Sequence, residues 1–185
     1  MGIEIEKKYR LNEAGRERVR ERLRAVGAGF EGEEFEENTI YRGGSLSLKN
    51  CVLRLRRVGH QALLTYKERF PSSSSIKHQR EEETHVENAE TMAAILEALG
   101  YQPALVYEKR RETWHLAATE VVLDQLPFGL FLEIEGEEKA ILDVEQMLEL
   151  SETEAETATY PQLTSQHGKR LGEKIEARFE PRTEE

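Results

Sequence analysis

Residues 2–10, GIEIEKKYR, alternate strictly, with Ile3, Ile5 and Lys7 on one side and Glu4, Glu6 and Lys8 on the other. A period of two with β-branched residues on one face predicts a strand. Such a strand ordinarily turns its apolar face to the core and its charges to water. The polar face here carries two acids and a lysine in five residues. The fold turns on whether that face meets bulk water or the inside of a closed sheet.

The same pattern recurs down the chain, since residues two apart on a strand share a face. CVLRLRRV at 51–58 groups Arg54 with Arg56, opposite Leu53 and Leu55. Gly59 and His60 make a turn into ALLTYKERF, a hairpin that places Lys67 beside Thr65. VYEKRRETW at 106–114 groups Lys109 and Arg111 with Tyr107 and Thr113. In VVLDQLPFGLFLEIEG at 121–136, Glu133 and Glu135 share a face, and Asp124 lies just before the LPFG turn.

Between these stretches, Asn12 is placed to cap an Arg-rich helix that runs to Val26 and ends at Gly27. Residues 30–42 and 76–86 are extended, PSSSS at 71–75 is a loop, and Asn88 caps a helix closed by Gly100. Strands at 103–115, 119–126 and 130–136 precede a helix over 138–149, the acidic run SETEAETA and a partly ordered C-terminal segment. Eight antiparallel strands predict a closed barrel, because closure removes exposed edges. The expected class is α+β, an eight-stranded antiparallel β-barrel or tunnel with helices packed outside. No linker or internal repeat divides residues 1–185, so one domain is expected, with its motifs in 2–136 and a helical, acidic segment in 138–185.

Composition narrows the function. A formal net charge of −10 argues against general nucleic-acid binding, which needs a basic face. No apolar run approaches the ~20 residues of a membrane helix. The first ten residues mix acids and bases without a signal-peptide core, and the single Cys51 suits a reducing compartment. A cytoplasmic, membrane-free protein is expected, with a homodimer compatible with the sequence.

Alternating charge on strands usually marks a solvated outer face, and one E-x-E pair is a weak metal signal. Recurrence changes the weighing. If every apolar face packs against outer helices, the charged faces line the barrel, where burial makes unpaired charge costly. Two carboxylates ~7 Å apart repel by roughly 2 kcal/mol at an effective dielectric near 20. Facing acid pairs then call for divalent cations, and the clustered bases call for an anion. Together these describe a site for a metal-bound polyphosphate.

The ordered motifs resemble the CYTH superfamily, the triphosphate tunnel metalloenzymes. Its E-x-E-x-K signature stands as Glu4-Ile-Glu6-Lys-Lys8. The likeness continues through LRLR at 53–56, LTYK at 64–67, the segment from Arg80, KRR at 109–111, VLD at 122–124 and FLEIE at 131–135. The resemblance implies Mg²⁺ or Mn²⁺ held by Glu4, Glu6, Glu133 and Glu135, with Asp124 ligating or orienting water. It implies a triphosphate clamp of Lys8, Arg54, Arg56, Lys67, Lys109 and Arg111, with Arg80 as a further member. Lys8, Asp124 and Arg111 are the expected catalytic residues. LPFGLFLEIEG and KRR most resemble class IV adenylyl cyclases, which convert ATP to cyclic AMP and pyrophosphate. The alternative is a triphosphatase, and beyond it a non-catalytic polyphosphate-binding module. Tyr160, in a T-Y-P turn, reads as packing, with a segment closing the tunnel as the other option. His60, His78 and His85 read as surface residues, and His115 as a polar group at a strand end.

Overall fold

The computed structural model describes residues 2–48, 51–70, 75–150 and 152–180. The strands are β1 (Gly2–Leu11), β2 (Gly29–Arg42), β3 (Cys51–Val58), β4 (Gln61–Arg69), β5 (Lys77–Val86), β6 (Gln102–Leu116), β7 (Thr119–Leu126) and β8 (Gly129–Glu135). They run in the order β2-β3-β4-β5-β1-β8-β7-β6, and a long β2–β6 pairing closes the ring. Each neighbouring pair in the ring is antiparallel. The closed eight-stranded barrel is the one expected from the strand count. The loop expected at 71–75 lies, except for Ser75, outside the described residues, as do residues 181–185.

The helices stand where capping residues place them. In α1 (Glu13–Ala25) the Asn12 side chain accepts from the Gly15 N–H, and in α2 (Ala89–Ala98) Asn88 accepts from Thr91. Each satisfies one of the N–H donors that the first helical turn leaves free. Gly27 and Gly100 follow these helices in the left-handed region, at φ of 77° and 87°, where a side chain would be strained. α3 (Glu138–Met147) follows β8 directly.

Strand parity sorts the core to the outside of the barrel. Tyr9, Leu132, Ile134 and Val121 point outward and meet Val19 and Leu23 of α1 and Ile141 and Val144 of α3. Leu55, Ala62 and Val86 do the same beneath Leu96 of α2. Leu132 and Ile134 are fully buried, so truncating either to Ala would cost about 2–5 kcal/mol. The outer apolar layer leaves the charged faces for the interior.

The C-terminal segment is more ordered than the sequence suggested. A fourth helix, α4 (Tyr160–His167), begins with a capping box between Thr159 and Gln162, and β9 (Lys169–Leu171) and β10 (Lys174–Ala177) follow. β10 pairs in parallel with β6 at Leu105–Tyr107, beside the stretch of β6 that β7 does not reach. Tyr160 and Leu163 of α4 then pack on Ile40, Tyr107, Leu126 and Phe131, an apolar cluster at one end of the barrel. The segment was illegible because its few apolar residues have no partner of their own period; their partners lie on β2, β6, β7 and β8.

Candidate active site

A cavity of about 490 Å³ runs inside the barrel, lined by side chains from every barrel strand and by the start of α4. Glu4, Glu6 and Lys8 of β1 all face it, as alternation requires. Lys7, on the opposite face, reaches out to Glu145 of α3 at 2.8 Å. β3 contributes Arg54 and Arg56, β4 Lys67 and Arg69, β6 Lys109 and Arg111, and β8 Glu133 and Glu135.

The interior is divided by charge. In one part the carboxylates outnumber their partners. Glu4 is held by Lys67 and by Gln79 Nε2 at 2.8 Å, and Glu6 by Lys77 at 3.1 Å. Glu6 and Glu135 sit directly opposite each other across the β1–β8 pair, where like charges repel. Burial, with the hydrogen bond it shares with Glu81, pushes Glu4 up to about 7. Desolvation and the neighbouring Glu4 push Glu135 up to about 7 as well. Glu6 goes the other way: burial alone would raise it, but Lys77, Lys8 and Lys67 hold it at about 2. A crowded set of oxygen donors with too little cationic compensation fits a hard divalent ion. Glu4, Glu6, Glu135 and Glu81 are the groups that would hold it.

The second part is basic. Arg111 forks onto Asp124, at 2.8 Å from Nε to Oδ1 and 2.6 Å from Nη2 to Oδ2, and Nη2 also reaches Glu133 at 2.9 Å. Lys109 lies 3.3 Å from Glu36 and 3.4 Å from Asp124. Burial, then the adjacent Arg111, lowers Lys109 to about 8. Burial likewise lowers Lys8, which lies 3.4 Å from Glu133 and 3.9 Å from the centre of the Tyr160 ring, and donates to the Ala158 carbonyl at 2.9 Å. The Nε atoms of Arg54 and Arg56 are buried without a hydrogen-bond partner among the described residues. Guanidinium groups that line a cavity suit an oxyanion, and both arginines line this one.

The family comparison agrees with this geometry. The model of the CYTH domain matches residues 2–165. The chain belongs to the CYTH family. CYTH proteins process triphosphates with a divalent metal. No curated protein sequence matches the chain. Among solved structures it is 28% identical to the PH1012 protein of Pyrococcus horikoshii OT3, with a TM-score of 0.75, over 85% of this chain and 96% of that one. A Vibrio parahaemolyticus protein provisionally assigned as an adenylate cyclase is 22% identical, with a TM-score of 0.73 over 88% of this chain and 98% of that one. A Hippeastrum protein with the same provisional assignment, described as having a dominant triphosphatase activity, is 17% identical, with a TM-score of 0.67 over 93% and 98%. The last two likenesses are of fold alone.

Within this CYTH barrel, eleven residues were expected in the tunnel besides Arg80, and their placement differs in two respects. Asp124 does not face the cavity. It lies behind the lining, 1% exposed, with its carboxylate engaged by Arg111, Lys109 and the Tyr160 hydroxyl. Arg111 and Lys109 hold its pKa low against burial. Arg80 is on the other face of β5, bonded to Glu82 at 3.0 Å, while its neighbours Gln79, Glu81 and Glu83 face the cavity. Three successive glutamates concealed that parity. The remaining expected residues, Glu4, Glu6, Lys8, Arg54, Arg56, Lys67, Lys109, Arg111, Glu133 and Glu135, all line the cavity.

Several contributors went unread in the sequence. Glu36 is 1% exposed, lies 3.6 Å from Arg56, and is held at about 2 by Lys109, Arg111 and Arg56 in spite of its burial. It hid among five glutamates of β2, whose register is broken by a bulge. Lys77 and Glu81 come from a strand that follows the serine-rich stretch of sequence at 72–75. Tyr160 is fixed in the site only by the tertiary position of α4.

Proposed function

We propose that the protein hydrolyses the terminal phosphoanhydride of a triphosphate inside the barrel. The observation that carries this reading is the lining: cations and carboxylates dominate it, and Arg54, Arg56 and Arg111 all reach it. Arg54, Arg56, Arg111, Lys8, Lys67 and Lys109 grip phosphate oxygens and stabilise the charge that spreads over them as the bond breaks. A divalent ion held by Glu4, Glu6, Glu135 and Glu81 would supply phosphate neutralisation and an activated water. Water bonds to the terminal phosphorus and loses a proton to solvent, the bond to the bridging oxygen breaks with its electron pair passing to the diphosphate leaving group, and orthophosphate and that diphosphate are the products. Glu36 and Asp124 hold Lys109 and Arg111 in place from behind.

Cyclisation of ATP is the second reading, favoured by Ile40, Val52 and Tyr107, which give the cavity a small apolar patch. Hydrolysis is preferred because both tyrosines of the lining have other duties: Tyr160 is tied to Asp124 and Lys8, and Tyr107 to the apolar cluster. The test is incubation with inorganic triphosphate and, separately, with ATP, in Mg²⁺ or Mn²⁺, with products separated by chromatography. Orthophosphate from both supports hydrolysis. Cyclic AMP with pyrophosphate from ATP establishes the cyclase, and no turnover of either leaves a binding module.

A further inference from the structure

One row of side chains crosses five strands at the acidic end of the barrel. Glu6 faces Glu135, Glu135 faces Glu120, and Glu120 faces His115, each across a neighbouring strand pair. Next to His115 the register places Gly29 of β2, and β2 then bulges between Phe30 and Gly32. A bulge inserts one extra residue and redirects its side chain. The inserted residue is Glu31, and its Oε2 lies 2.8 Å from His115 Nε2. One ligand atom from each of Glu31, His115 and Glu120 lies within 4.8 Å of the others.

An ion pair between Glu31 and a protonated His115 would account for two of these residues but not for Glu120. Glu120 has no cationic partner at ion-pair distance among the described residues, and its neighbour on β8 is another acid, Glu135. It therefore sits between a like charge, which repels it, and an imidazole, which supplies a lone pair. Three donors from three different strands converge on one point, and the barrel fixes the strands that carry them. An ion 2.0–2.2 Å from each donor would need them about 3–3.5 Å apart, which small side-chain rotations, chiefly of the exposed Glu31 and His115, would supply.

We infer that Glu31, His115 and Glu120 form a second divalent-metal site at the rim of the barrel, built for a transition ion such as Zn²⁺. The donor chemistry separates it from the interior set. Imidazole with two carboxylates suits Zn²⁺, Co²⁺ or Ni²⁺, whereas Mg²⁺ favours oxygen donors and keeps its waters. Glu120 belongs to both groups, since it also lines the cavity. An ion at the rim would therefore relieve the Glu120–Glu135 repulsion at the edge of the space a triphosphate occupies. The site depends on the three rim residues alone and not on which reaction the interior performs.

The test is Zn²⁺ titration of the full chain by calorimetry in millimolar Mg²⁺, which competes for the oxygen-donor set but not for the imidazole. Imidazole ¹⁵N resonances are followed in parallel. The expected result is one Zn²⁺ equivalent that shifts the His115 resonance. His115→Ala and Glu31→Gln should each weaken that equivalent by about tenfold or more. Glu4→Gln should leave it unchanged. Both rim side chains are more than half exposed, 55% for His115 and 61% for Glu31, so their substitution should not unfold the chain, and unchanged melting curves would verify that. Zn²⁺ binding by His115→Ala equal to that of the parent, or a His115 resonance indifferent to Zn²⁺, overturns the assignment.

Discussion

Tyr160 donates a 2.8 Å hydrogen bond from its hydroxyl to Oδ2 of Asp124, joining α4 to the wall of the barrel. Asp124 in turn receives the two-pronged grip of Arg111. The C-terminal helix thus reaches Arg111 through a buried carboxylate. Removing the hydroxyl alone isolates its contribution. Tyr160→Phe keeps the ring under Lys8 but takes one donor from a buried anion, which should cost about 1.5–3 kcal/mol of stability. If the bond also positions Arg111, affinity for triphosphate should fall several-fold. Kinetics and thermal melting on the same variant check both, and unaltered KM with a lowered melting temperature would confine Tyr160 to packing.

Lys7 and Lys8 are neighbours with opposite duties. Lys7→Ala leaves Glu145 nearly buried without its partner, 10% exposed, and should destabilise the fold by about 3 kcal/mol. For a chain of this size that is about 6–12 °C in melting temperature. Turnover at a temperature where the variant is folded should stay within about twofold of the parent. Lys8→Ala should instead raise KM for the triphosphate. Equal kinetic effects from the two substitutions would contradict the strand parity.

The raised acids give the metal-free protein an unusual pH dependence. Glu4 and Glu135 are pushed from 4.5 up to about 7, so between those values the folded chain binds more protons than the unfolded chain. Stability therefore falls as pH rises from about 4.5 to 7, and the metal-free protein should melt at a higher temperature at pH 5.5 than at pH 7.5. Saturating Mg²⁺ or Mn²⁺ should raise the melting temperature most at the higher pH, where the carboxylates are ionised. Melting curves over this range, with and without metal, measure the effect. A metal-free melting temperature that climbs with pH through this window would refute the crowded-carboxylate description.

Acids and bases should respond differently to added metal. Glu6→Gln keeps size and hydrogen-bonding capacity but removes an anionic donor, and activity should fall by about 10²-fold, from ~3 kcal/mol of lost stabilisation. Higher Mn²⁺ should recover part of that loss. Arg56→Ala should lose triphosphate affinity that no metal concentration recovers, because nothing replaces its fork of donors. Metal-titrated kinetics on the two variants decide the matter, and equal rescue of both would merge the two roles.

What the sequence determined by itself is the barrel and most of its lining. Alternation is a local property: once Glu4 and Glu6 share a face, Lys8 shares it too, and Ile5 and Tyr9 lie on the other. The same holds for Arg54 with Arg56, Lys109 with Arg111, and Glu133 with Glu135, so strand count and facing could be read without coordinates. Tertiary structure decided which charges meet. Asp124 shares its strand's inward parity, yet it lies behind the cavity because Arg111 and Lys109 from β6 and Tyr160 from α4 enclose it. Glu36 and Glu31 sit in one glutamate-rich strand, and only the bulge and the β2–β6 pairing send the first to Lys109 and the second to His115. Period two assigns a face, whereas register, bulges and the docking of a distant helix assign partners. Those depend on contacts between residues far apart in the chain, which no local pattern encodes.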